Sequence, residues 1–248
     1  MRKLLLAALV LFPLSAFTQV LNIEQERIKT DTTGWSGTAG LSFQYIKNQK
    51  EMLNAGLNVH VQFKTEHSLW LLLTDYNLVT SGKDDYSNAG IEHLRYNYKF
   101  NKWFTAECFT QAQFNKVMSV KFRWLTGAGP RFRIVKTKKF RLYGAALYMY
   151  EYEELENPSV FHRDHRMSSY LSFTWSPVEN LRLVNTTYFQ PRLNYLADYR
   201  ISSQTDFIVK IAGHFGFGVG YLYYYDAFPP EDIVKETHYL TNKITYEF

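Results

Sequence analysis

The run Leu53–Lys64 reads LNAGLNVHVQFK, and its apolar side chains fall on every second position. The positions between them hold glycine or a polar residue. Because successive side chains of a β-strand point to opposite faces, this period of two predicts a strand with one apolar and one polar face. The same alternation begins at Trp35 and continues to the C-terminus. The sequence therefore predicts an all-β fold.

The alternation divides into twelve predicted strands. They cover residues 35–46, 52–64, 68–78, 88–100, 103–115, 119–135, 139–153, 163–175, 180–193, 198–211, 213–226 and 236–248. Most are longer than the roughly 9–11 residues that a tilted strand needs to cross a bilayer, whereas strands of soluble proteins usually have about 5–6 residues. We therefore expect a transmembrane antiparallel up-and-down β-barrel of about twelve strands.

The predicted connections differ in length between the two ends of the barrel. Connections after even-numbered strands are short, and the three long ones, 79–87, 154–162 and 227–235, all come after odd-numbered strands. Bacterial outer-membrane barrels have short periplasmic turns and longer external loops. The spacing thus predicts periplasmic termini and three long external loops.

The N-terminus resembles a secretory signal peptide. Basic Arg2 and Lys3 precede the apolar run Leu4–Phe17, and small residues precede Gln19. A membrane-spanning helix is the alternative, but it needs about 20 apolar residues, and Pro13 interrupts this run. We expect a signal peptide over residues 1–18, a periplasmic or lumenal segment over 19–34, and the barrel over 35–248.

Composition argues against a nucleic-acid partner and a disulfide, and it favours a membrane protein. Removing the signal peptide lowers the formal charge from +5 to +3, which gives no reason to expect a nucleic-acid partner. The single cysteine, Cys108, excludes an intramolecular disulfide. The 19 tyrosines and 19 phenylalanines match the aromatic girdles of membrane barrels.

The last strand ends in alternating apolar residues that include Tyr246 and Phe248. A terminal aromatic of this kind resembles the sorting signal that the barrel assembly machinery reads. We therefore expect an outer membrane of the Gram-negative type as the location, with outer-membrane lipid and the assembly machinery as partners.

A soluble barrel or sandwich is the structural alternative. In the sixth strand Val120, Phe122 and Trp124 alternate with Lys121 and Arg123, and a soluble barrel would turn that apolar stripe inward. The alternation in this strand fits both a soluble barrel and a membrane barrel. The export signal, the strand lengths, the connections and the terminal aromatic favour the membrane.

Five ordered motifs carry a family resemblance. They are HLRYNY at 93–98, FTQAQFN at 109–115, LTGAGPR at 125–131, YEYE at 150–153 and YFQP at 188–191. With them the chain resembles the family of salt-induced outer-membrane proteins, whose function is undefined. The family usually has a Gly-Asn pair after the first strand, where this chain has KNQK at 47–50. The resemblance implies an outer-membrane barrel without established chemistry.

Face parity assigns a polar set to the lumen. The candidate lumen-lining residues are His93, Arg95, Asn97, Glu107, Gln111, Gln113, Arg123, Arg131, Arg133, Glu151, Glu153, Arg166, Tyr188, Gln190 and Arg200. One interpretation is a pore whose arginines favour anions. The other is a lumen closed by Arg–carboxylate pairs, with Glu151 and Glu153 paired to Arg131 and Arg133 of the preceding strand. Inward Gly216, Gly218 and Gly220 add a smooth groove in the wall.

Catalytic and metal chemistry have weak support. Ser169 faces lipid with Asn185 on the next strand, but the nearest histidine, His165, is four residues away along the strand. His162 and His165 lie near Glu153, Glu154 and Glu156, which suggests a cation site at most. We expect no catalytic residue, cofactor or metal.

The sequence leaves three functional hypotheses. The first is a passive outer-membrane channel for small hydrophilic or anionic solutes. The second is a plugged structural or envelope-stress barrel without transport. The third is an outer-membrane acyl hydrolase like the outer-membrane phospholipase.

Overall fold

The structure, a computed structural model, describes residues 33–47, 51–81, 84–157, 160–212 and 215–246. Twelve strands make up most of them: β1 (Gly34–Lys47), β2 (Glu51–Lys64), β3 (Ser68–Ser81), β4 (Asp84–Lys99), β5 (Phe104–Asn115), β6 (Val120–Lys136), β7 (Phe140–Leu155), β8 (Phe161–Trp175), β9 (Leu181–Arg192), β10 (Tyr195–Ala212), β11 (Phe215–Asp226) and β12 (Glu236–Tyr246). A 3-10 helix, Lys116–Met118, links β5 and β6. Within these ranges no helix is long and apolar enough to cross a membrane.

Antiparallel pairings join neighbouring strands in chain order from β1 to β12. Side chains of β4 and β11 line the same cavity, so the sheet curves round an interior. The predicted twelve-stranded up-and-down barrel is therefore confirmed. We call the end with the start of β1 and the end of β12 the turn rim, and the opposite end the loop rim.

The two faces of the sheet reverse the order found in soluble proteins. Large apolar side chains such as Trp35, Leu171 and Leu240 are exposed on the outside, whereas Arg166 and Glu151 are buried on the inside. An outer apolar face combined with a polar interior is the arrangement of a membrane barrel, because lipid covers the apolar face. The soluble alternative does not fit these faces.

The expectation of three long loops is wrong for two of them. β3 and β4 stay paired up to Ser81 and Asp84, and β7 and β8 leave only residues 156–160 between them. Residues 227–235 do form a long connection. The polar ends of these strands look like loops in sequence, but pairing satisfies their backbone hydrogen-bonding groups beyond the apolar band.

A bulge also changes one face assignment. The register of β6 against β7 shifts between Val120 and Phe122, so Val120 is buried while Lys121 is exposed. The extra residue of a bulge breaks the strict alternation of faces. Strict alternation, which groups Val120 with outward Trp124 and Lys121 with inward Arg123, therefore predicts the wrong face for both residues.

Some expectations lie outside the described residues. These are the signal peptide 1–18, nearly all of the segment 19–34, the terminal Phe248 and the side chain of Tyr246. The described barrel begins with β1 at Gly34, one residue before its expected start.

Replacing Leu171 by Arg tests the lipid-facing side. This side chain is 56% exposed on the outer face of β8, and an arginine near the bilayer midplane costs about 2–4 kcal/mol. We expect that loss in urea-induced unfolding from phospholipid vesicles. The matched control is Val178→Arg, in a turn at the turn rim, where the cost near the interface is about 0–1 kcal/mol. Equal losses at both positions would contradict the placement of Leu171 within the apolar band and of Val178 at its edge.

Candidate functional site

A network of charged side chains fills the lumen near the loop rim. We call it the Arg–carboxylate network. It consists of Arg123, Arg166, Arg192 and Arg200 with Glu151, Glu153, Asp164, Asp198 and Asp226. These residues come from β6 to β11, six consecutive strands. The network therefore ties half of the wall together across the interior.

Glu151 lies at the centre of this network. Its carboxylate is 3.2 Å from Nε of Arg123 and accepts a 2.6 Å hydrogen bond from Nε of Arg166. Arg200 also donates to it. Since the side chain is only 1% exposed, its charge depends on these three guanidinium groups for compensation.

The arginines around Glu151 bind further carboxylates. Arg166 donates to Oδ1 of Asp198 at 2.9 Å and to the carbonyl oxygen of Gln190 at 3.2 Å. Arg200 donates to Oδ2 of Asp226 at 2.8 Å. Four arginines thus face five carboxylates, and the formal charge of the Arg–carboxylate network is −1.

A second polar group, the turn-side cluster, lies nearer the turn rim on β4, β5 and β8. Arg95 forms a 3.1 Å ion pair with Glu107. Glu107 also accepts hydrogen bonds from Asn97 at 2.8 Å and from Tyr170 at 3.2 Å. His93 accepts from Nε of Arg95 at 3.2 Å, which leaves its Nδ1 as the donor toward Gln111 at 2.8 Å. This part of the wall is hydrogen-bonded from strand to strand.

Two more of the expected arginines extend the turn-side cluster along β6. The guanidinium of Arg131 lies 4.0 Å from the ring centroid of Tyr143 and donates through Nε to Tyr170 at 3.0 Å. Arg133 lies 6.0 Å from the same ring. Stacking of this kind holds a guanidinium group by its flat face.

Apolar side chains occupy the lumen between the two polar groups. Ala145, Leu147, Tyr170 and Tyr188 form a buried cluster. Around it lies a cavity of about 70 Å³, lined by residues of β4 to β11. That volume suits a few water molecules. On this side, side chains largely fill the barrel.

The remaining wall carries small side chains. We call it the small-residue wall. It has two parts, the inner faces of β1 and β2 at one end of the strand order and those of β11 and β12 at the other. The small residues are Thr38, Gly40, Ser42 and Gly56 in the first part and Gly216, Gly218, Gly220 and Thr241 in the second. A Cβ atom added at Gly40 would meet nothing within 4 Å. The lumen is thus divided into a filled half and a half with small side chains, which we call the open half. In the open half Gly40 faces empty space, whereas Gly216 and Gly218 are buried.

The expected lumen residues take different places in this division. His93, Arg95, Glu107, Gln111, Gln113, Arg123, Tyr188, Gln190 and Arg200 line the cavity, and Glu151, Glu153 and Arg166 belong to the Arg–carboxylate network. Asn97, Arg131 and Arg133 belong to the turn-side cluster or extend it.

The expected pairing of Glu151 and Glu153 with Arg131 and Arg133 is wrong. In the antiparallel register Arg123 faces Glu153, whereas Arg131 faces Ala145. The end of β7 must oppose the start of β6, so the distant arginines lie too far along the strand. Asp226 was not among the candidates, although it has the parity of Gly216, Gly218 and Gly220 on β11.

The residues considered for catalysis and metal binding are separated or engaged elsewhere. Ser169 donates to the carbonyl oxygen of Phe189 at 3.0 Å, and His165 is hydrogen-bonded to Tyr148. His162 and His165 are three residues apart on one strand and so point to opposite faces. In the parts of the chain that the structure describes, no three His, Cys, Asp or Glu side chains are grouped as around a metal ion.

An apolar outer face and a charge-paired interior within twelve antiparallel strands define a transmembrane β-barrel protein. The chain belongs to the family described as "Protein of unknown function, DUF481", whose model matches residues 57–248. This membership confirms the predicted resemblance to an outer-membrane family of undefined function.

Comparison with other proteins adds fold similarity only. No curated protein matches the chain. It is similar to "NanC porin structure in rhombohedral crystal form", with 11% identity, a TM-score of 0.47, and coverage of 84% of this chain and 100% of that one. It is also similar to "KdgM porin in complex with disordered oligogalacturonate", with 12% identity, a TM-score of 0.44, and coverage of 83% and 98%.

Replacing Glu151 by Gln tests the centre of the Arg–carboxylate network. Removing one partner of a buried ion pair leaves uncompensated charge and costs about 3–5 kcal/mol. We expect a loss of that size in the free energy of unfolding by urea. The matched control is Glu154→Gln on the same strand, whose exposed pair with Lys121 at 3.5 Å adds little. A similarly small loss of unfolding free energy in both variants would contradict the expected contribution of Glu151 to stability.

Proposed function

We propose that the protein is a passive outer-membrane channel whose conduit runs along the small-residue wall. It passes small hydrophilic solutes beside the Arg–carboxylate network, with the loop rim outside the cell. The observation that supports this proposal is the unequal division of the lumen. One half is filled by paired charges and apolar side chains, and the other half carries glycine, serine and threonine.

The chemistry of the open half suits a hydrated solute. Thr38, Gly40 and Ser42 are exposed on the inner face of β1. Hydroxyl and backbone groups exchange hydrogen bonds with water and with polar solutes, and they occupy little volume. A barrel of twelve strands is wider than the filled eight-stranded case and narrower than a porin of sixteen strands. A narrow conduit displaced from the barrel axis fits this size.

The Arg–carboxylate network has a structural task in this proposal. Charges at membrane depth are costly unless they are paired, and here the pairs join six consecutive strands. They hold the filled half rigid and keep it from collapsing into the conduit. Because the arginines are paired, they attract anions less strongly than unpaired arginines would. The expected preference for anions therefore loses much of its basis.

A second candidate function is a closed structural barrel. The buried cluster around Leu147 and the small volume of the cavity favour it. It differs from the channel in one measurable respect, since a closed barrel conducts ions only at the background level of the bilayer. Single-channel recording in planar bilayers separates the two, provided that the protein is folded.

Replacing Gly40 by Trp tests the position of the conduit. A bulky inward side chain on the small-residue wall would fill space that is open now, so we expect loss of most of the single-channel conductance. The matched control is Ala39→Trp, whose side chain points to the lipid face of the same strand. It should conduct like the unmodified barrel.

Two outcomes would contradict the proposal. Background conductance of the folded, unmodified barrel would favour the closed barrel. Full conductance of Gly40→Trp would show that ions do not pass along the small-residue wall.

A further inference from the structure

We propose that Asp75 makes the conduit prefer cations over anions. This inference rests on the proposed channel and names the charge of the solutes that pass most readily. It reverses the preference that the number of lumenal arginines suggests. The inference concerns one carboxylate in the middle of β3, outside the Arg–carboxylate network and outside the turn-side cluster.

Asp75 is buried in the wall of the lumen. It is 9% exposed, and its carboxylate accepts a hydrogen bond of 2.5 Å from the side-chain amide of Asn58. Its register partners are Asn58 and Ile91. Its neighbours on the same face of β3 are Leu73 and Asn77. None of these side chains carries a charge.

This setting differs from that of the other buried acids. Glu107 lies 3.1 Å from Arg95, and Glu151 contacts three arginines. Among the described residues no basic side chain forms an ion pair with Asp75. A carboxylate in a low-dielectric wall without a protein counter-charge attracts cations from the adjacent water. The charge of Asp75 therefore acts on the conduit itself.

The position of Asp75 places it beside the small-residue wall. In the sheet register, Gly40, Asn58 and Asp75 form one row across β1, β2 and β3. On the other side, Thr241, Gly220 and Asp206 form a row across β12, β11 and β10. Gly40 is six residues from the start of β1 and Thr241 five from the end of β12, so both rows lie at a similar depth.

Asp206 closes the second row with another carboxylate. A Cβ atom added at Gly220 would lie 2.8 Å from its Oδ1, so the carboxylate lies over the glycine. Gln204 donates to its Oδ2 at 3.2 Å. A carboxylate thus stands at each flank of the small-residue wall.

The experiment measures the reversal potential of the folded, full-length barrel in a planar bilayer between unequal KCl solutions. We expect a permeability ratio of K⁺ to Cl⁻ above one, which falls toward one in Asp75→Asn. The control is Asp232→Asn, which removes the same charge in the exposed connection 227–235. Asp232 has a φ of 66°, which asparagine tolerates. Its permeability ratio should stay unchanged.

A second measurement does not depend on conduction. A cation that binds only the folded barrel raises its resistance to unfolding. We expect a higher urea midpoint in KCl than in choline chloride of equal ionic strength, because choline is too bulky for a site in the wall. This difference should disappear in Asp75→Asn and remain in Asp232→Asn.

The outcomes separate this inference from the proposed function. Background conductance with a cation-dependent midpoint would reject the channel and support the cation site at Asp75. An open channel that prefers Cl⁻, as Arg131 and Arg133 would produce if they governed selectivity, would overturn the inference and leave the channel intact. An equal permeability ratio in the unmodified protein and in Asp75→Asn would also overturn it, as would a midpoint that is the same in both salts.

Discussion

Each residue of a membrane-spanning strand faces either lipid or the lumen, and each backbone hydrogen-bonding group needs a partner on a neighbouring strand. This constraint determines where charge can be placed in the protein. At the depth of the apolar band, an ionised side chain has only the lumen available, where other ionised side chains already lie. Glu151 illustrates this constraint most clearly, because its buried carboxylate is surrounded by Arg123, Arg166 and Arg200. The stability of the filled half depends on such compensation.

The features that depend only on local alternation could be predicted from the sequence. The number of strands and the lumenal position of Arg166 depend on parity within one strand, which the sequence shows directly. The partner of Glu153 depends on how far β6 and β7 overlap. That overlap is set by the turn and by the register shift between Arg133 and Val135, and neither is encoded in the alternation. The alternation of side chains therefore predicted the correct face for Glu153 but the wrong arginine as its partner.

Two other features could not be predicted from the sequence, for different reasons. The ends of β3 and β4 are polar and resemble loops, yet they remain paired, because pairing extends wherever both strands can supply backbone partners. The glycines of β11 were visible as an inward stripe. Their relation to the small residues of β1 was not, because β1 and β11 lie near opposite ends of the strand order and alternation within one strand does not relate them.

The number of charges in a lumen is a poor guide to the ions that it favours. A guanidinium and a carboxylate about 3 Å apart act as a dipole at longer range, so their combined field weakens faster with distance than that of a single charge. Arg166 and Arg200 are held in this way, whereas Asp75 is compensated only by an amide hydrogen. In the proposed conduit, one carboxylate without an ionic partner therefore has more influence on a passing ion than several paired arginines. Selectivity depends on the geometry of pairing, which the sequence alone does not contain.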